Sequence, residues 1–389
     1  MRVKDPRSKV QNGAGWRRGV GPLRQFMTAS EHKLYLAALK QLGRVVVGTE
    51  PPSEPLDRLI VAGGRGFTLP ALWPRLAPHA DQFSAETIEL CRTVHTLNGE
   101  RNAAILGDLE RAAAALNEVG IVPCALKGAA HLMTGLWGSP ANRVLSDIDL
   151  LVHPAELSRA VAALRDLLHA SVHGDDKADA HHAPPMALPG AKAVIELHHS
   201  PVKLSLAGVV PTAEVFEQSR TVNLGNAMLR LPSATHSALV AAVHGPVAHG
   251  FFDLAPRDAI DLVYLAQDIS DPVDWDFVAA TLSGAGFGWV VEMVNVSAET
   301  LTDQAPPMAP VGKTARAIAR GRLRLHRSAY AYRADYVLRR SAWHLRAIHT
   351  REGRAFTATT LRNPHFLSAL GATLAPRRPS DEHPGKRDR

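Results

Sequence analysis

Arg143-Val144-Leu145-Ser146-Asp147-Ile148-Asp149-Leu150-Leu151-Val152 reads as one β-strand entered through a polar approach. Side chains alternate across a strand, so Ile148, Leu150 and Val152 share a buried face while Asp147 and Asp149 project together from the other. Two carboxylates that close repel, and each raises the other's proton affinity. A divalent cation between them is the usual remedy. Hard Mg²⁺ (or Mn²⁺) takes one or two carboxylates together with substrate phosphates. The pattern points to nucleotide chemistry.

Outward from this strand, the stretch 119–210 alternates short strands with helices. Residues 121–126 predict a strand, and Gly128 opens a helix to about Leu136. Pro154 suits the first turn of a further helix, which carries Leu157, Val161, Leu164 and Leu168 on one face. A loop rich in His, Asp and Ala follows over 169–183. Pro189-Gly190 is a strong turn dipeptide between 186–188 and 193–197, so these form a hairpin. The hairpin's second strand supplies Ile195-Glu196-Leu197-His198, and an acid flanked by apolar residues is costly unless paired or metal-bound. If that strand lies beside 146–152, Glu196 falls near Asp147 and Asp149, and three carboxylates line one site. The connections are short, which fits a small mixed sheet. The fold class expected is therefore α+β, a small mixed β-sheet core flanked by N- and C-terminal helical regions.

Those flanks have their own patterns. Residues 30–118 carry apolar positions at helical spacing over 31–42 and 85–116, with Gly63-Gly64-Arg65-Gly66 expected as a turn. Residues 211–304 return to helices, clearest at 236–244 and at 257–266, where Ile260, Val263 and Tyr264 face inward. A Pro-containing linker at 306–310 leads into a basic helical segment spanning 305–374. The lead-in 1–29 is basic and reads as disordered, without the apolar core of a signal peptide, and Met27 is a second candidate start. The polar, Pro-rich tail 375–389 also reads as disordered.

The 389 residues are enough for two or three domains, and 46 % are apolar and 21 % charged, an ordinary globular balance. No stretch approaches the roughly 20 apolar residues of a membrane span. Only Cys91 and Cys124 are present, so neither a disulfide framework nor a Cys-based zinc site is supported, and the cytoplasm is the default. The histidines at 169, 173, 181–182 and 198–199 lack the helical spacing of a zinc-protease motif, so a dedicated zinc site is not expected. The net charge of +7 gathers in the Arg-rich run 313–354. That run is a solvated helical face in the plain reading, and a polyanion surface, nucleic acid included, in the sharper one.

Leu126-Lys127-Gly128-Ala129-Ala130, the approach from Arg143 into Ser146-Asp147-Ile148-Asp149, and Glu196-Leu197-His198 resemble the bacterial family of uncharacterised nucleotidyltransferases, within the DNA polymerase beta-type superfamily. The resemblance is good over 122–199 and looser around His244-Gly245 and 257–265. It implies that Asp147 and Asp149 are paired metal ligands and Glu196 the third carboxylate. It implies that Gly128 sits at the glycine turn facing the triphosphate, with Lys127 and Arg143 as phosphate contacts. Ser146 is a further nucleotide-side candidate, and His198 is a candidate substrate contact or an orienter of Glu196. The superfamily usually has Gly-Ser at this turn, and Ala129 lacks that hydroxyl. The implied activity is Mg²⁺- or Mn²⁺-dependent transfer of an NMP from an NTP, ATP included, to an acceptor, with pyrophosphate released. The acceptor stays open among small molecule, peptide, protein and RNA. A nucleotide-binding protein of the same fold without turnover is the alternative.

Overall fold

The computed structural model describes residues 29–53, 55–172, 181–248 and 255–325. The basic lead-in, the tail and all of the Arg-rich run after residue 325 lie outside these described residues. At the centre is a seven-stranded mixed sheet. In chain order its strands are β1 (Cys124–Ala125), β2 (Asp147–Leu151), β3 (Ser171–Val172), β4 (Met186–Ala187), β5 (Val194–His198), β6 (Arg220–Leu224) and β7 (Ala227–Leu231). They lie in the order β3-β4-β5-β2-β1-β7-β6. β2 is parallel to β5 and antiparallel to β1, and β1 is parallel to β7. The helices are α1 (Ala29–Val47), α2 (Leu56–Gly66), α3 (Ala85–Glu118), α4 (Lys127–Thr134), α5 (Leu157–Leu168), α6 (Thr212–Glu217), α7 (Ala234–Val243), α8 (Pro256–Gln267), α9 (Trp275–Gly284), α10 (Gly288–Thr302) and α11 (Lys313–Leu325), with short helical turns over 69–82.

The alternation expected of β2 sets the layers. Ile148, Leu150 and Val152 are buried with Ile195 and Leu197 against α3 and α5, through Ile105, Leu109, Leu116, Ala160 and Leu164. The opposite face carries Cys124, Leu126 and Leu151 and is covered by α7 to α10, through Leu239, Val243, Leu262, Val278 and Val294. A third cluster joins α1 and α2 to α8 through Leu39, Leu42, Leu59, Ile260 and Val263. Tyr264 lies at its edge and donates its hydroxyl to the Val46 carbonyl at 3.0 Å.

The long helix α3 does more than cover the sheet. Ser84 caps it, its hydroxyl accepting from the Thr87 N–H at 3.2 Å. Two buried amides in its middle grip the segment that feeds β2. Asn98 Nδ2 donates to the carbonyls of Ala141 and Arg143 at 2.8 and 3.2 Å. Asn102 Nδ2 donates to those of Pro140 and Arg143 at 2.6 and 2.7 Å. Carbonyls of a buried loop need such partners, and here they fix where β2 starts.

Three expectations are corrected. The region from 211 onward contains, after α6, a β-hairpin and not helices alone. β6 and β7 pair through Arg220↔Leu231 to Leu224↔Ala227 around Gly225-Asn226, and β7 joins the central sheet beside β1. Gly225 takes a φ of 54°, the left-handed conformation that a two-residue hairpin loop demands. The Gly63-Gly64 stretch is helical, inside α2, and not a turn. A Cβ at Gly63 would stand 2.9 Å from Leu69 Cα, so the glycine permits the following turn to pack against the helix. The strand expected over 121–126 is also reduced to Cys124–Ala125.

α11 is basic, as its composition requires, but two of its arginines are already engaged. Arg316 Nη2 and Arg320 Nη2 reach Glu299 of α10 at 2.8 and 3.5 Å. Among the described residues, no helix is long and apolar enough to cross a membrane.

Candidate active site

The register of β2 against β5 brings the acids together. Asp147 faces Val194, Asp149 faces Glu196, and Leu151 faces His198. Side chains two apart share a face, so Asp147, Asp149, Glu196 and His198 all stand on one side of the sheet. Asp149, Glu196 and His198 are buried, and each offers a ligand atom within 4.8 Å of the other two. Asp147 lies one step toward the half-exposed start of β2, where Ser146 Oγ donates to its Oδ1 at 2.9 Å. The tight group is thus Asp149, Glu196 and His198, with Asp147 beside it. The reason is the register: the residue opposite Asp147 is a valine.

Asp149 is the electrostatic centre. Its Oδ1 accepts from Lys127 Nζ at 2.9 Å and from His198 Nε2 at 2.7 Å. Burial alone would raise its pKa, but the Lys127 charge and the His198 hydrogen bond outweigh burial and hold the carboxyl well below the usual carboxylate range. Asp147 shifts upward instead, from burial first and then from the Asp149 charge. Burial also lowers the His198 pKa, and because an ionised carboxylate can only accept, it is Nε2 that carries the proton toward Asp149. His198 Nδ1 then carries a lone pair with no hydrogen-bond partner. The chain over 181–183 runs beside β5, with the Ala183 N–H donating to the Leu197 carbonyl at 2.8 Å. This places the His181 and His182 rings 5.1 Å from that of His198. His182 Nε2 comes within 3.9 Å of Glu196 Oε2.

Lys127 and Arg143 were both expected to contact phosphate, and in the nucleotide-free fold each is instead paired with a buried carboxylate. Lys127 is mostly buried against Asp149, and its backbone takes a left-handed φ of 49° where β1 passes into α4. Burial alone would lower its pKa, yet the nearby Asp149 and Asp147 charges raise it. Arg143 is 3 % exposed and forms a two-pronged pair with Asp261 of α8, Nε to Oδ1 at 2.9 Å and Nη2 to Oδ2 at 2.7 Å. Trp137 Nε1 donates to the same Oδ1 at 2.6 Å. The Arg143 guanidinium and Leu145 also stand directly over Gly128, where any Cβ would overlap them. Glycine at this turn is therefore a packing necessity, because it lets α4 begin against the Arg143–Asp261 pair.

Sequence reasoning missed Asp261, Trp137 and His131. Asp261 sits 118 residues from Arg143, and only the fold brings them together. His131, on α4, lies 3.9 Å from Asp261, and burial lowers its pKa to about 4 despite that neighbour.

Two carboxylates and an imidazole converging on one point form a donor set that suits a divalent cation, while a helix starting at a glycine suits phosphates. The comparison of the whole chain agrees in kind. A family described as "Uncharacterised nucleotidyltransferase" matches residues 54–302, from before α2 through the sheet to the end of α10. The chain belongs to this family, and it is an enzyme of the nucleotidyltransferase class. Comparison with curated proteins returned no match, and comparison with solved structures returned none either.

Proposed function

We propose that the protein moves a nucleoside monophosphate from an NTP to an acceptor nucleophile, using a divalent cation held at the β2–β5 acids. The observation that carries this reading is the pairing of Asp149 with Glu196 on adjacent strands, with Asp147 on the same face. An acceptor oxygen forms a bond to the α-phosphorus while the bond from that phosphorus to the bridging oxygen breaks. The acceptor's proton passes to the Glu196 carboxylate, and the electron pair leaves with pyrophosphate. Mg²⁺ or Mn²⁺, when bound, neutralises the developing charge on the phosphate oxygens. Asp147, Asp149 and Glu196 would hold it, and His198, whose Nε2–H is given to Asp149 Oδ1, would orient that carboxylate.

On the phosphate side, the first turn of α4 at Lys127-Gly128 has N–H groups without intrahelical partners, and Ser146 stands exposed just before β2. The role of Arg143 is best read as indirect. Its guanidinium is committed to Asp261, so it positions the glycine turn rather than touching phosphate. This is positioning and charge neutralisation, the main resource of phosphoryl-transfer sites. The acceptor class stays among small molecule, peptide, protein and RNA. A cytoplasmic setting, with its NTP supply, agrees with two buried, free cysteines.

A second reading, a nucleotide binder without turnover, is favoured by one observation. Lys127 already supplies Asp149 with a positive partner, so the cluster is stable as it stands. The two readings part in a panel of α-labelled NTPs incubated with cell extract and Mg²⁺ or Mn²⁺. Label transfer with pyrophosphate release supports the enzyme, and NTP binding without either supports the binder.

A further inference from the structure

We propose that Lys127 is a counter-ion built into the cation site, so that the site takes a divalent cation only together with a nucleoside triphosphate. This rests on reading Asp149 as a cation ligand. Lys127 Nζ and His198 Nε2 converge on one oxygen, Asp149 Oδ1, at 2.9 and 2.7 Å. The Lys127 side chain is 17 % exposed and that of Asp149 3 %, so little water screens the pair. A cation bound to that oxygen would stand within a few ångströms of an ammonium, and two positive charges so close in a poorly screened site repel strongly.

The ammonium must therefore move when the cation arrives. Moved away from Asp149, it keeps only the more distant Asp147 and Glu196 charges, which the cation would engage as well, and a buried ammonium so weakly paired is costly. A triphosphate removes the cost because it brings negative charge to the start of α4, the turn on which Lys127 itself sits. The backbone of Lys127 fits this role. Its left-handed φ of 49° is unusual for a residue with a side chain and is held only where the surroundings require it. The preferred ligand is thus the metal–NTP complex, and the free cation is a poor one. The same ammonium that neutralises Asp149 in the nucleotide-free protein neutralises phosphate in the complex.

The test is a titration of nucleotide-free protein with Mn²⁺, followed by electron paramagnetic resonance, for wild type, Lys127→Met and Lys127→Met combined with Asp149→Asn. Lys127→Met is expected to bind Mn²⁺ about tenfold tighter than wild type or better, because a repelling charge is gone. Equal or weaker binding by a folded Lys127→Met overturns the proposal. Wild-type protein gives an independent check by thermal unfolding. Mn²⁺ alone should leave the midpoint nearly unchanged, while Mn²⁺ with a non-hydrolysable α,β-methylene NTP should raise it by more than the sum of the separate effects. A shift from Mn²⁺ alone as large as that from both overturns the proposal. Asp149→Asn separates the two ideas. If Asp149→Asn added to Lys127→Met leaves the tightened Mn²⁺ binding intact, the assignment of Asp149 as a ligand fails, and the nucleotidyl-transfer mechanism above fails with it.

Discussion

Replacing Asp261 with asparagine should be among the most damaging isosteric changes available in this protein. The substitution keeps the shape and removes one charge. Arg143 is then a guanidinium only 3 % exposed, facing a neutral amide where two hydrogen bonds of 2.9 and 2.7 Å met a carboxylate. Trp137 Nε1 keeps at best a neutral acceptor in place of an ionised one at 2.6 Å. Breaking a buried ion pair by neutralising one member costs roughly 3–5 kcal/mol, because the other charge stays behind uncompensated. With total stabilities of about 5–15 kcal/mol, that is a large fraction. For an m-value of about 3 kcal/mol/M, the urea midpoint should fall by roughly 1–1.7 M. The companion measurement is the double variant Arg143→Met with Asp261→Leu. Removing both charges leaves no orphaned ion, so it should lose clearly less than the sum of the two single variants. Urea unfolding followed by circular dichroism reads all of these. A loss under about 1 kcal/mol for Asp261→Asn, or strict additivity in the cycle, would refute the claim that this pair braces the glycine turn.

Further outcomes follow from the same geometry. Gly128→Ala should cost about 1–3 kcal/mol by overpacking against Leu145 and Arg143, and should reduce nucleotide affinity, measured by fluorescent-NTP binding. Stability should fall on acidification in two steps. His131 has a folded-state pKa of about 4 against 6.5 when unfolded, so its contribution is full above pH 6.5 and lost as pH falls toward 4, on the order of 3 kcal/mol. Asp261 has a depressed pKa because Arg143 and His131 outweigh its burial, so its contribution survives to lower pH and is lost as pH falls below the ordinary carboxylate range. Chemical denaturation across pH 3–8 checks both steps, and a His131→Asn variant should flatten the upper one. Leu229→Ala, in the core under β7, should cost roughly 2–5 kcal/mol in the same urea assay.

Much of this molecule is legible in the order of its residues, and the exceptions have physical causes. The strand 147–151 announces itself by alternation, and the helices α1, α3, α5 and α8 by apolar spacing. The neighbourhood of Glu196 and the aspartates also follows, because Pro189-Gly190 fixes the hairpin that carries β5. The second hairpin is also written in the sequence. Thr221-Val222-Asn223-Leu224-Gly225-Asn226-Ala227-Met228-Leu229 alternates around a two-residue Gly-Asn loop, a turn signal as good as Pro189-Gly190. It lies between helical patterns, whose period masks two strands of five residues each. Gly63 misleads because a glycine required for close packing inside a helix looks the same as one required for a turn. The partners of Lys127 and Arg143 were not legible at all. A cation's exposure depends on what the fold brings against it, and Asp149 and Asp261 arrive from 22 and 118 positions away. His198 is intermediate. Its place on the Glu196 face follows from alternation, but its hydrogen bond to Asp149 depends on the register of two strands.

The central claim is that the β2–β5 acids perform metal-dependent nucleotidyl transfer, and one measurement meets it directly. Wild type and Asp149→Asn are incubated with α-labelled NTPs, Mg²⁺ or Mn²⁺, and cell extract, and pyrophosphate and labelled product are quantified with and without EDTA. The account predicts product and pyrophosphate in equal amounts from wild type, abolished by EDTA and by Asp149→Asn in a variant that remains folded by circular dichroism. Transfer that persists in folded Asp149→Asn, or that is indifferent to EDTA, would contradict it.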